Sequence, residues 1–262
     1  MDKRHFVMNN RAKIEENSTY NYNLYKAQNT LWHFNNLIKR SRKDYTAVKF
    51  MDSNNVYVWL ENVKIEGDYY SGNLTESGNS QKILINDVID WMIIENGRLI
   101  GGYTIRHYRN TLDDEAKMNF DIDFGVKIDA GNDFFKPDLT TPEGAIIKIE
   151  NFYTKENLEG VISCKDFEME AENMLKDSDL EVTESTKNDL AEVLKLALIE
   201  DIKSNGFPHF NNIERNFSLI TEHQNQKLIE ETTIFENDET KCNKFWIGQS
   251  KNGDWKVLNL VE

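Results

Sequence analysis

Residues that could carry out acid/base chemistry gather around one short stretch of the chain, residues 87–110. Asp90, Arg106 and His107 supply a carboxyl, a guanidinium and an imidazole group. Hydrolases and transferases use such groups to move protons and to hold anionic substrates. Aromatic side chains that could form a binding surface beside them are Trp59, Trp91 and Tyr103. These six residues are the candidate binding site, and none of them is assigned a catalytic role.

The patterns of other reactive sites do not occur in this sequence. No P-loop, GxGxxG or GxSxG motif is present, so phosphate cradling and a hydrolase triad have no local support. The five histidines show neither HExxH nor HxH spacing; they are His5, His33, His107, His209 and His223. The sequence therefore predicts no bound metal and no cofactor.

An Asp-rich stretch is the strongest competing candidate, because carboxylates are the preferred ligands of hard cations such as Ca²⁺. Its members are Asp121, Asp123, Asp129, Asp133 and Asp138. The first three alternate with apolar residues over the segment 120–129, which is typical of a half-buried β-strand. We therefore predict that they form the solvated face of a strand and do not bind a cation.

The stretch 87–110 itself reads as a β-hairpin. Two apolar runs, Asp87–Ile94 and Leu99–Tyr108, flank an Asn96-Gly97 pair. Asn-Gly between two such runs is the strongest short-range signal for a two-residue type I′ turn. The element that must position the candidate site is thus predicted to be a hairpin of two long strands.

The turn also fixes which residues face each other. Trp91 should lie opposite Gly102, over the bare backbone of the glycine pair, and Asp87 should lie opposite Arg106. In this register Asp90 and Arg106 project from opposite faces of the hairpin. This favours a structural role for Asp90-Trp91 over a joint acid/base pair, with a binding surface as the alternative.

The elements before the hairpin complete an α+β fold. Apolar residues recur every three or four positions over Tyr22–Lys43, which predicts an amphipathic helix. Four short apolar segments separated by turn residues predict strands at Thr46–Met51, Val56–Ile65, Tyr69–Leu74 and Lys82–Ile85. With the hairpin they form a six-stranded meander. We expect a small, strongly bent antiparallel sheet or partial barrel packed on the N-terminal helix.

This region also resembles a known family. Asp90-Trp91 and Gly101–Arg106, with similar residues back to Ala27, resemble the YegJ-like bacterial domain of unknown function over residues 27–110. The resemblance implies the fold described above and no particular activity. Members often carry an acidic residue and a histidine just before the Trp at position 59, where this chain has Tyr57 and Val58. A role for that pair therefore does not transfer to this chain.

The rest of the chain is predicted to form a second α+β region. Residues 111–176 read as a strand-rich extension of the first domain, with a strand at Ala145–Tyr153 and a helix at Lys165–Lys176. Residues 177–262 read as a helix, opened by a Thr186/Asp189 capping box, on an antiparallel sheet. The strands of this sheet are predicted at Ile229–Glu236, Lys244–Gln249 and Trp255–Val261. The predicted domains are therefore 1–110, 111–176 and 177–262.

Charge and composition narrow the classes of function. Residues 1–50 contain ten Lys and Arg against four Asp and Glu, a net charge of +6. Because the whole chain has a net charge of −14, residues 51–262 carry a net charge of −20. An acidic body disfavours nucleic acid and suits a basic protein partner. No apolar run is long enough to span a bilayer, and no signal peptide is visible, so we expect a cytoplasmic protein without a membrane partner.

The sequence therefore favours a non-enzymatic cytoplasmic binding protein, such as an immunity or inhibitor-type protein with an acidic surface. The alternative is a hydrolase or transferase whose site forms in three dimensions near the 87–108 hairpin. A third hypothesis, nucleic-acid binding by the basic N-terminal helix with Trp32 as a stacking residue, is disfavoured by the acidic body. The partner's identity and the oligomeric state are left open.

Overall fold

The computed structural model describes residues 17–40, 44–176, 178, 181–237 and 239–261. These residues form two antiparallel sheets, of six and four strands, with α-helices before and between them. The predicted α+β class is confirmed. The chain divides into an N-terminal unit that ends at Phe134 and a C-terminal unit that begins at Phe135.

The N-terminal unit contains three α-helices and one sheet within the described residues. The helices are α1 (Ser18–Leu37), α2 (Tyr103–Asn110) and α3 (Asp114–Phe124). The strands are β1 (Tyr45–Met51), β2 (Tyr57–Glu66), β3 (Tyr69–Leu74), β4 (Ser80–Leu84), β5 (Val88–Glu95) and β6 (Arg98–Gly101). The predicted helix is confirmed as far as Leu37, and the end of its predicted range, residues 41–43, lies outside the described residues. The six-stranded antiparallel sheet is confirmed, but it is not the predicted meander, because β5 pairs with β1 and not with β4.

The six strands form an open sheet in the order β4-β3-β2-β1-β5-β6, with β4 and β6 at its edges. This arrangement is not a closed barrel. One sheet face packs on α1, which begins where the Asn17 side chain accepts the Tyr20 N–H at 2.8 Å. Phe34 of α1 is fully buried against Leu60 and Trp91 in the core between helix and sheet.

The hairpin has the predicted register but a much shorter second strand. Met92 pairs with Gly101 and Glu95 with Arg98, as a two-residue turn requires. The glycine pair then breaks the strand, because Gly101 and Gly102 both have positive φ angles, of 70° and 66°. Residues from Tyr103 onward form α2, so the predicted strand to Tyr108 and the predicted Asp87/Arg106 pairing are both wrong.

The predicted strand over residues 120–129 is also wrong, because its first half, residues 120–124, belongs to α3 and the rest forms no strand. The Asp113 side chain caps this helix by accepting the Ala116 N–H at 2.8 Å, and Gly125 ends it at a φ of 71°. Phe120 and Phe124 stack one helical turn apart, with ring centroids separated by 5.7 Å. The apolar residues that alternate in sequence therefore do not share one face of a strand, and the capping signals outweigh the alternation.

The C-terminal unit places its helices before its sheet. The helices are α4 (Pro142–Thr154), α5 (Leu158–Ser163), α6 (Phe167–Lys176) and α7 (Glu184–Asn205). The strands are β7 (Glu214–His223), β8 (Gln226–Ile234), β9 (Thr240–Gln249) and β10 (Trp255–Val261), in the order β10-β9-β8-β7. The three predicted strands are confirmed, whereas β7 was not predicted.

Two predictions for the helices of this unit need correction. The predicted strand at Ala145–Tyr153 is helix α4, because Thr141 caps the chain by accepting the Gly144 N–H at 3.0 Å and Pro142 follows at the first helical position. Helix α7 is capped by Thr183 and Thr186, not by Thr186 and Asp189. Among the described residues, no helix combines the length and the apolar character needed to cross a membrane.

Candidate functional site

Asp90 is the centre of the hydrogen-bonded network at the hairpin. Its side chain is fully buried, and its Oδ1 accepts the N–H groups of Trp91 at 2.8 Å and Tyr103 at 3.2 Å. Its Oδ2 accepts both the N–H and the hydroxyl of Thr104, each at 2.7 Å. Burial raises the pKa of Asp90, and these bonds oppose the rise. The carboxyl group therefore caps α2 and ties it to β5.

Lys49 extends this network and was missed by the sequence analysis. It pairs with Asp90 on one side and with Trp59 on the other in the sheet register. Its Nζ donates to the Thr104 hydroxyl at 3.3 Å and lies 5.4 Å from the Tyr57 ring centroid and 5.7 Å from that of Trp59. Burial lowers the pKa of Lys49, and the Asp90 charge opposes this effect. The available signal was a single lysine within the apolar run of β1.

Trp91 and Tyr103 belong to the core of the N-terminal unit. The Trp91 indole N–H lies 3.1 Å from both the Ala27 carbonyl and the Thr30 hydroxyl. A Cβ added at Gly101 would lie 2.6 Å from the Trp91 ring, so the predicted contact of this ring with the glycine backbone is confirmed. The Tyr103 ring packs edge-on against the Trp91 ring, with ring centroids 6.0 Å apart. Burial raises the pKa of Tyr103 well above its ordinary value. Neither ring is available to a ligand in this conformation.

Arg106 and His107 have partners of their own. Arg106 donates from Nε to the Gly101 carbonyl at 2.9 Å and from Nη1 to the Asp129 carbonyl. His107 packs its ring 5.4 Å from that of Tyr20, and burial lowers the pKa of His107. Within the described residues no hydrogen bond or ion pair joins Asp90 to Arg106 or His107. The three predicted acid/base groups are all buried, and each has a separate structural environment.

The aspartates of residues 121–133 are largely neutralised by ion pairs. Asp121 accepts two bonds from Arg109 at 2.6 and 2.5 Å, and Asp129 lies 2.7 Å from Arg98. Asp133 is buried and lies 2.9 Å from Lys26. The predicted solvated strand face is therefore replaced by ion pairs that link three segments of the unit. In the described part of the chain, no group of acidic, His or Cys side chains could hold a metal ion.

The N-terminal unit also has a cavity of about 510 Å³, which we name the β1–β4 groove. Residues from the ends of β1, β2 and β3, from all but the first residue of β4 and from the adjoining loops line it. Its apolar side chains include Met51, Trp59, Tyr69, Leu74 and Leu84, and its acidic ones are Asp52, Glu76 and Asp87. Of the six predicted site residues, only Trp59 lines this groove.

A second buried charged cluster lies in the C-terminal unit, between α4 and the sheet. Arg215 places Nη2 2.6 Å from Glu150 Oε2 and Nε 3.0 Å from Glu231 Oε1. Glu150 Oε1, both Glu231 oxygens and the Thr233 hydroxyl are buried and form no hydrogen bond among the described residues, so the contact of Arg215 with Glu231 Oε1 is an ion pair only. Burial raises the pKa of Glu231 to about 9, and repulsion by Glu150 adds to the rise. A proton on Glu231 would supply the donor that Glu150 lacks.

Three comparisons with known proteins each cover less than half of the chain. Residues 13–128, less than half of the chain, match a family described as uncharacterized protein conserved in bacteria (DUF2314). Over 118 residues, 42% of this chain, the sequence is 25% identical to the "Putative ankyrin repeat protein NMB1133/NMB1171" of Neisseria meningitidis serogroup B. The chain spans only 42% of the length of that relative.

Among solved structures, a "Putative NTF2-like transpeptidase" from Campylobacter jejuni aligns with 45% of this chain and 98% of its own. The sequence identity is 15% and the TM-score is 0.28, which is too low to establish a shared fold. The N-terminal region of this chain is thus similar to a bacterial domain of uncharacterized function.

Proposed function

We propose that this chain is a non-enzymatic cytoplasmic binding protein that recognises a basic protein partner, in the manner of an immunity or inhibitor-type protein. The observation that carries the proposal is the state of Asp90. Its carboxyl group is fully buried and accepts four hydrogen bonds from the protein itself. A group held in this way stabilises the fold and has no free position for a substrate.

The charge distribution supports a basic partner. The chain carries a net charge of −14 at pH 7. Oppositely charged surfaces accelerate association between proteins, and the rate falls as the salt concentration rises. We also propose that residues 27–110 form a YegJ-like domain; this range lies within the bacterial family match over residues 13–128.

The proposal is tested by affinity capture from bacterial lysate at 50 mM and 300 mM NaCl, with the immobilised full chain. The captured proteins are identified, and each is then purified and titrated separately. We expect at least one basic protein to bind the pure chain with an association rate that falls with salt. If no purified candidate binds at either salt concentration, the proposal fails.

Lys49 favours a second candidate function, the hydrolase or transferase alternative near the hairpin. Its amino group is nearly buried, burial lowers its pKa, and it donates to the Thr104 hydroxyl, which donates to Asp90. An amine held in this way could act as a nucleophile or base. It would require substrate access beside the half-exposed Tyr57 ring.

Acylation separates the two candidates. The chain is treated with p-nitrophenyl acetate at pH 7, and modification of each lysine is followed by peptide mass spectrometry. If Lys49 is an activated nucleophile, it should react at least about ten times faster than exposed Lys64, because a lowered pKa leaves more free amine. Slower acylation of Lys49 than of Lys64 would remove the enzymatic candidate.

A further inference from the structure

We infer that the β1–β4 groove is the docking site for the basic partner and that it binds a segment in which Lys or Arg alternates with apolar side chains. This inference rests on the proposed function and adds the location and chemistry of the contact. Glu76 and Asp87 would bind the cationic side chains. Met51, Tyr69 and Leu84 would contact the apolar ones.

The first argument is that the groove is lined by carboxylates that no basic side chain of the groove neutralises. Lys82, the only basic side chain that lines the groove in the described structure, is paired with Glu66 at 2.6 Å. Asp52 accepts the Val56 and Asn54 N–H groups at 2.8 and 2.9 Å, so its carboxylate closes the β1–β2 turn. These bonds hold the pKa of Asp52 below its ordinary value, so this carboxylate stays negative at neutral pH.

Glu76 and Asp87 differ from Asp52 because both are exposed and neither has a hydrogen bond or ion pair in the part of the chain that the structure describes. Two exposed carboxylates therefore face the groove without a cation. They favour a cationic occupant and disfavour anionic ligands such as phosphate or nucleic acid.

The second argument is the apolar surface between these charges. The exposed fractions of Met51, Tyr69 and Leu84 are 45%, 45% and 42%, although each side chain lines a concave surface. Removal of such surface from water favours binding of an apolar side chain. A cavity of about 510 Å³ falls within the range of about 300–1,000 Å³ typical of ligand pockets. Its volume accommodates a few side chains of a peptide.

Strand β4 gives a third argument for a peptide segment. It is an edge strand of the open sheet, and its residues 81–84 line the groove. An edge strand has backbone N–H and carbonyl groups on its outer side that can pair with an extended chain. An extended segment places alternate side chains on opposite sides, so it would suit the mixed acidic and apolar lining.

The experiment uses three fluorescein-labelled decapeptides with the full chain, and binding is followed by fluorescence anisotropy at 150 mM NaCl. The peptides alternate Lys with Leu, Lys with Ser, and Glu with Leu. We expect the Lys/Leu peptide to bind most tightly, the Lys/Ser peptide at least about tenfold more weakly because it loses apolar burial, and the Glu/Leu peptide not at all.

Charge reversal tests the location of binding. The groove variant combines Glu76→Lys and Asp87→Lys, and the matched control combines Glu115→Lys and Asp123→Lys, two exposed carboxylates of α3 that do not line the groove. Both variants change the net charge equally. The groove variant should lose at least about tenfold in affinity for the Lys/Leu peptide, and the control less than about threefold.

Equal losses in the two variants would overturn the groove assignment, because binding would then follow net charge alone. The assignment also fails if the Lys/Leu peptide does not bind the wild-type chain. In either case a purified basic partner that still binds both variants equally would leave the proposed function standing. Thermal unfolding of each variant, monitored by circular dichroism, establishes that the losses do not arise from unfolding.

Discussion

The two units of this chain each bury carboxyl groups but satisfy them in different ways. In the N-terminal unit, Asp90 accepts four hydrogen bonds that come from the first turn of α2 and from its own strand. In the C-terminal unit, Glu150 and Glu231 share one guanidinium, and three of their four oxygens lack a hydrogen-bond donor. Burial is nearly complete in all three residues.

The difference shows that burial alone does not define a reactive site. A buried carboxyl group whose acceptors are all used holds structural elements together, and its removal leaves several donors unpaired. A buried carboxyl pair with too few donors has a strong tendency to retain a proton. A buried carboxyl group thus joins structural elements in one unit, whereas in the other unit burial raises the pKa of both members of a carboxyl pair.

The largest effect is expected for Asp90→Ala, which leaves the N–H groups of Trp91, Tyr103 and Thr104 without their acceptor. We predict a decrease of about 3–5 kcal/mol in the free energy of unfolding, measured by urea denaturation. Asp87→Ala is the matched control, because Asp87 is exposed, and it should change stability by less than about 0.5 kcal/mol. A loss under about 1 kcal/mol for Asp90→Ala would contradict the structural role.

Arg215→Met should have the next largest effect. This change keeps the apolar volume but leaves Glu150 and Glu231 buried without a cation, so stability should fall by about 2–4 kcal/mol at pH 7. Because Glu150 can then take up a proton in addition to the one on Glu231, the loss should shrink at pH 5. A loss of the same size at both pH values would show that the ion pairs are not its cause.

The carboxyl pair should also make stability depend on pH. The pKa of Glu231 in the folded chain, about 9, lies above its ordinary value of 4.5. Protonated Glu231 therefore makes its full contribution to the free energy of unfolding below pH 4.5. As the pH rises from 4.5 toward 9 this contribution is lost, and the free energy of unfolding falls by no more than about 1.4 kcal/mol per pH unit.

Glu231→Gln removes this titration. The difference in free energy of unfolding between Glu231→Gln and wild type, measured by urea denaturation from pH 5 to pH 8.5, should grow in favour of the variant. Comparison with wild type at each pH cancels contributions from other groups. A difference that stays constant over this range would exclude a shared proton.

Two threonines provide the smallest and most direct comparison. Thr104 donates to Asp90 and accepts from Lys49, whereas the Thr233 hydroxyl has no partner in the described structure. Thr104→Val should cost about 1–2 kcal/mol, whereas Thr233→Val should be neutral or stabilising by up to about 1 kcal/mol. Urea denaturation of both variants checks the comparison, and equal losses would contradict it.

The sequence predicted most of the N-terminal fold because local signals and packing agree there. The Asn96-Gly97 turn specified the hairpin register, and apolar segments separated by turn residues specified the strands before it, although not the pairing of β5 with β1. The prediction failed after Gly101, because the chain enters a helix that is capped by Asp90, a residue 13 positions earlier than Tyr103. A cap supplied from a distant strand leaves no mark in the sequence around the helix.

The failures in the middle of the chain have a related cause. In α3, apolar residues alternate by chance over residues 120–128, and the N-cap at Asp113 and the C-cap at Gly125 decide the structure. The role of Lys49 also could not be read locally, because its neighbours Trp59 and Asp90 come from two other strands. Six residues were predicted to form the site, and their joint role as a binding surface stays a prediction.

Strand β7 has a consequence for the behaviour of the protein at high concentration. It lies at the edge of the four-stranded sheet over ten residues and exposes nearly half of Ile220. An edge strand of this length could pair with the same strand of another molecule, and repeated pairing of this kind leads to aggregation. Acidic side chains near its two ends, Glu214 and Glu222, make stacking of like strands unfavourable. Colloidal stability of the purified protein should therefore depend on these terminal charges more than on the apolar residues between them.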